Sequence, residues 1–149
     1  MASRPRHGLN LAAASLCAIA LVAAGCGGGS SYKDDLNTAN NEFNKAFKEA
    51  NAKIRTGRTE REYTEGFTES KTAVQTLEGK LRTLKPPSKA RAAQAQLLGA
   101  LDTISRDLDA LLQSLKSGNV ENVRTFLTRY LRDLQSLQAA GKRLKARAG

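Results

Sequence analysis

The stretch LRTLKPPSKARAAQAQLLGALDTISRDLDALLQSLKSGN, residues 81–119, decides the fold. Its apolar residues fall at Ala90, Leu97, Leu101, Ile104, Leu108, Leu111 and Leu115, with Gln94 filling the one gap. The steps alternate four and three, which keeps every side chain on one face of a helix. Pro86 and Pro87 close it off upstream, because a residue before proline is pushed out of the helical region. Ser88 stands where an N-cap belongs, and Gly118 suits a left-handed C-cap. The spacing predicts one long amphipathic helix over 88–117.

The same rhythm extends in both directions. Upstream, Tyr63, Phe67, Ser70, Val74, Leu77, Leu81 and Leu84 repeat the alternation, with Ser70 the only polar member. Thr59 followed by Glu62 fits a capping box, so a helix over 59–85 is expected. Downstream, Asn119 caps a helix over 119–147 with Val120, Val123, Leu127, Tyr130, Leu134, Leu137 and Leu144 on its seam. A first helix over 32–55 carries Leu36, Ala39, Phe43, Ala46, Ala50 and Ile54, with Phe47 widening the stripe. It is rich in alanine and in asparagine (Asn37, Asn40, Asn41, Asn44, Asn51), a composition that fits a loosely docked helix or a stalk. Thr56-Gly57-Arg58 separates it from the second helix.

Helices joined by short connections lie antiparallel to their neighbours. Stripes of 3.5-residue period favour shallow crossings. The expectation is an all-α, up-down-up-down four-helix bundle over residues 32–149. Two long hairpins that pair only on dimerisation would satisfy the same pattern, so the oligomeric state stays open. Gly141 falls on a seam, where close approach would explain it. Gly66, Gly79 and Gly99 read as tolerated surface positions.

The N-terminus has a different character. Arg4, Arg6 and His7 precede an uncharged, mostly apolar run, Leu9 to Ala24, which ends on small residues. The run is shorter than the roughly 20 apolar residues of a spanning helix. A basic start, a short apolar core and small residues at its end make an export signal over 1–25. The sequence Ala23-Ala24-Gly25-Cys26 resembles a bacterial lipobox, with Ala23 where the commonest form has leucine. The resemblance implies cleavage after Gly25 and acylation of Cys26 by a diacylglyceryl group, with palmitate-type chains. Cys17 would leave with the signal, so no disulfide would form. Gly27-Gly28-Gly29-Ser30-Ser31 reads as a flexible tether reaching about 17 Å when extended.

Beyond Cys26 the chain has no His, Met, Trp or further Cys. That composition lacks the side chains for haem, blue-copper or structural zinc sites and for Cys- or His-based nucleophilic catalysis. A ferritin-like di-metal bundle needs Glu-x-x-His pairs. Glu60, Glu62, Glu65 and Glu69 read as a solvated face favouring a helix N-terminus. Asp102, Asp107 and Asp109 likewise read as solvated. No catalytic residue, metal or cofactor is expected.

The chain carries a formal net charge of +10. Lys142, Arg143, Lys145 and Arg147 place four bases within six residues. They fit contact with an anionic surface, and they also fit a solubilising end that complements the helix dipole. Nucleic acid is a poor partner, since no set of aromatics is available for stacking.

The signal, the lipobox, the tether and an Ala/Leu/Arg-rich body with a Leu-x-x-Leu-Lys-Pro-Pro turn (Leu81–Pro87) resemble small lipoproteins of high-GC Gram-positive bacteria. The resemblance implies a protein anchored by Cys26 to the outer face of the cell membrane. Two functions fit. One is a helical interaction module that binds a protein or anionic envelope component. The other is a small-ligand sensing bundle, with Ser70 and Gln94 as the only polar seam residues to line a pocket.

Overall fold

A computed structural model describes residues 30–148, with side-chain surroundings from Tyr32 onward. Four α-helices account for nearly all of it: α1 (Ser30–Thr56), α2 (Glu60–Thr83), α3 (Arg91–Lys116) and α4 (Val120–Ala148). A single 3-10 turn, Ser88–Ala90, leads into α3. There is no strand among the described residues. The chain is an all-α four-helix bundle.

Side-chain pairs between helices give the direction of each. Residue 42 meets 80 and residue 53 meets 69 through the ion pairs Lys80–Glu42 and Lys53–Glu69, so α1 and α2 are antiparallel. Lys71 pairs with Asp109 while Gln94 reaches the carbonyl of Leu81, which makes α2 and α3 antiparallel. Arg129 faces Asp107 and Arg143 meets Gln96, so α4 runs back along α3.

Local chemistry explains the boundaries. The glycine run ends at Gly29 and α1 begins at Ser30, so Ser30 and Ser31 belong to the helix rather than the tether; glycine is the poorer helix former. The Thr59 capping box is complete. Its hydroxyl accepts from Glu62 N at 3.2 Å, and Glu62 Oε2 accepts from Thr59 N at 2.9 Å. Leu84 is extended at φ −74° and ψ 143°, so α2 stops at Thr83, short of the two prolines. Ser88 does not cap α3: it lies within the 3-10 turn, and Ala90 takes the cap position with no side-chain bond. Gly118 adopts φ 65°, and Asn119 Oδ1 accepts from Asn122 N at 3.0 Å, which turns the chain from α3 into α4.

The core is one continuous cluster drawn from all four helices. Leu101, Ile104, Leu108 and Leu111 of α3 are fully buried, as are Val74 and Leu81 of α2. Three expectations are corrected. First, α1 is no stalk. Tyr32, Leu36, Ala39, Phe43, Phe47, Ala50 and Ile54 are all buried, and Phe43 stacks on Phe47 at 5.0 Å between centroids. Phe47 takes the seam and Ala46 is exposed, because the larger apolar side chain gains more from burial.

Second, Gly66 is no surface position. A Cβ there would stand 2.6 Å from Ile54 Cγ1 and 3.1 Å from the Ile54 backbone nitrogen. Glycine lets α1 and α2 approach this closely. At Gly79 and Gly99, by contrast, an added Cβ would meet nothing within 4 Å. Third, Val120 is 61% exposed rather than on the seam. Val123, Leu127 and Leu115 are only half-buried, so the α3–α4 end of the bundle tapers away from the core.

Candidate functional site

The two polar seam residues have different fates. Gln94 is a bracket across three helices: Tyr32 of α1 donates to its Oε1 at 2.8 Å, and its Nε2 donates to the Leu81 carbonyl of α2 at 2.9 Å. That carbonyl lies in the last turn of α2 and also accepts from Leu84 N at 3.3 Å. Burial pushes the Tyr32 hydroxyl above its ordinary value. Ser70 is wholly buried, and neither its hydroxyl nor that of Tyr130 completes a hydrogen bond. Burial drives the Tyr130 phenol far upward, and the nearby Ser70 hydroxyl opposes this. Tyr130 meets Phe67 edge-on at 6.2 Å, which holds the ring in place.

A crevice lined by Leu36, Asn40, Leu77, Leu97, Leu137 and Gly141 brings all four helices together. Its volume is about 10 Å³, at the lower edge of the room needed by one water. Gly141 is buried beside it. Ser70 and Gln94 do not line this space, and both ends of the Gln94 amide are already engaged.

The carboxylates of α2 disperse. Glu62 serves the cap, and the backbone N–H of Arg58, followed by the Thr59 hydroxyl and N–H, holds its carboxyl below the ordinary value. Glu65 pairs with Arg61 at 2.8 Å and Glu69 with Lys53. Asp107 departs from the expected solvated placement. It is 5% exposed, its Oδ1 lies 3.6 Å from Arg129 Nε, and its Oδ2 finds no hydrogen-bond partner. Burial first, then contact with the Asp133 carboxyl, raises its affinity for a proton; Arg129 opposes this. The site is one half-paired acid on the α3–α4 contact. No group of three or more potential metal-ligating His, Cys, Asp or Glu side chains occurs among the described residues.

The exposed bases form the most distinctive surface. Lys142, Arg143, Lys145 and Arg147 are all solvent-exposed at the C-terminal end of α4. Arg143 reaches Gln96 of α3 at 3.5 Å, and Lys145 borders the crevice beside Leu36 of α1. The fold therefore sets these four bases at the end of the bundle where α1 begins. The connection from α2 to α3 lies at the same end. It contributes three further exposed bases that periodicity and motif do not single out: Lys85, Lys89 and Arg91. Their signal lies in charge alone. Residues 80–91 contain five bases and no acid.

Gly25 and Cys26 lie outside the described residues. No helix among the described residues is long and apolar enough to cross a membrane. No protein-family model, curated protein or solved structure matches the chain.

Proposed function

We propose that this chain is a lipid-anchored, non-catalytic helical interaction module at the outer face of the cell membrane. Acyl groups on Cys26 hold it there, and its surface binds an anionic envelope component or a protein. The observation that carries the reading is the exposed cluster Lys142, Arg143, Lys145 and Arg147, at the bundle end where α1 starts four residues after Cys26. The lipobox resemblance supports the anchor. The filled interior favours a surface function over small-ligand sensing, because a ligand pocket of the usual kind is several hundred Å³.

Two measurements test this. Mass spectrometry of the membrane fraction should find Cys26 as an acylated N-terminal residue; an uncleaved or unmodified Cys26 overturns the anchor. The helical body should retain envelope material at low salt and release it as salt rises. Retention of nothing at low salt overturns the interaction reading.

A further inference from the structure

We infer that the tether end of the bundle docks on anionic phospholipid headgroups, so that the bundle stands end-on to the membrane. The inference deepens the anchored reading above and rests on it for the compartment.

The two ends differ sharply in charge. At the tether end, residues 80–91 and 142–147 together hold nine bases and no acid, and two of the nine, Lys80 and Arg82, are paired with Glu42 and Glu78 outside these segments. The first turns of α1 add Lys33, Asp34 and Asp35, which offset one of these charges. At the far end, residues 55–65 hold three bases and three acids, and residues 116–124 hold two bases and one acid. The antiparallel topology creates this asymmetry by bringing together segments about 60 residues apart in the chain.

Helix dipoles do not account for it. Each end collects two helix N-termini and two C-termini, so their dipoles cancel. Bases at the ends of α2 and α4 do suit C-termini. Lys89 and Arg91, however, stand at the start of α3, where the dipole favours acids, and the first turn of α3 has none. Arg91, exposed and set against the local dipole, is placed to meet an outside anion. Covalent geometry adds to this. From Cys26 to Ser30 the backbone spans at most about 14 Å, so acyl chains on Cys26 would keep this end within reach of the headgroups. Pro86 and Pro87 stiffen the turn between Lys85 and Lys89, and Pro87 is extended at φ −60° and ψ 156°.

The test is sedimentation of the chain from Gly27 to Gly149 with vesicles, after circular dichroism confirms its helical fold. Vesicles of equal parts phosphatidylglycerol and phosphatidylcholine should bind it at low salt, and pure phosphatidylcholine should not. A base near an anionic surface is worth about fivefold in affinity, so Lys142→Gln with Arg147→Gln should weaken binding about 25-fold. The far-end pair Lys116→Gln with Arg124→Gln should change it less than about twofold. Equal binding to neutral vesicles, equal losses in the two variants, or binding only to soluble polyphosphate would each overturn the inference. Acylated Cys26 with no vesicle binding overturns this inference alone; vesicle binding with an unacylated Cys26 overturns the anchor alone.

Discussion

The two ends of the bundle are built by different means. The far end is held by short-range devices: the Thr59–Glu62 box, the positive φ of Gly118, the Asn119 cap and the close contact of Gly66 with Ile54. Its charges nearly balance, five bases against four acids over residues 55–65 and 116–124. The tether end is held by a long-range device, the Tyr32–Gln94–Leu81 bracket, which ties the start of α1 to α3 and to the end of α2. Its charges do not balance. An end locked by buried hydrogen bonds can present bases outward without relying on ion pairs among them for its shape. The comparison separates what the chain needs in order to fold from what it leaves exposed.

The largest effect is expected at the bracket. Gln94→Leu leaves the buried Tyr32 hydroxyl without its acceptor and should cost about 2–3 kcal/mol in urea denaturation. Adding Tyr32→Phe should recover most of that, because removing both partners is nearly neutral. Additive losses in the double variant would show that the bracket does not act as a unit. At the far end, Gly66→Ala should destabilise by about 1–2 kcal/mol through overpacking against Ile54. Gly79→Ala should instead stabilise by up to about 1 kcal/mol, since it gains helix propensity in open space. Equal responses at the two glycines would contradict the close approach of α1 and α2.

The smallest effect concerns Asp107, between the two ends. Its folded carboxyl holds a proton more tightly than the unfolded one. Stability from this group is therefore greatest below the unfolded value of about 3.9 and falls as pH rises through the raised folded value. Asp107→Asn should raise stability at pH 7 by roughly 1 kcal/mol. It should also flatten the stability profile across that acidic window. An unchanged pH profile would mean that Arg129 already compensates the buried charge.

Much of this architecture was legible in the sequence, because periodicity, capping and proline stops are local. The α3 stripe, the Thr59 box and the Gly118–Asn119 turn all follow from residues within one or two turns of each other. What escaped depends on the facing helix. Gly66 looks the same as Gly79 in sequence, and only Ile54 across the contact distinguishes them. Asp107 sits among leucines either way, and its proton affinity depends on burial and on Asp133 and Arg129 of α4 across the contact. The seam of α1 passes through Phe47 rather than Ala46 because the two share neighbouring faces and burial selects the larger. The basic end was half legible: residues 142–147 stand out as a run, while residues 80–91 join them only through topology.

Orientation on the membrane is the most direct test. No cysteine follows Cys26, so a single label can be placed at Ser88→Cys or Ser117→Cys in the chain from Gly27 onward. Both positions are exposed, and the 26 residues of α3 separate them by about 40 Å. On phosphatidylglycerol-containing vesicles bearing a headgroup quencher, the Ser88 label should be strongly quenched and the Ser117 label should not. Equal quenching at both positions, or stronger quenching at Ser117, would contradict end-on docking by the basic end.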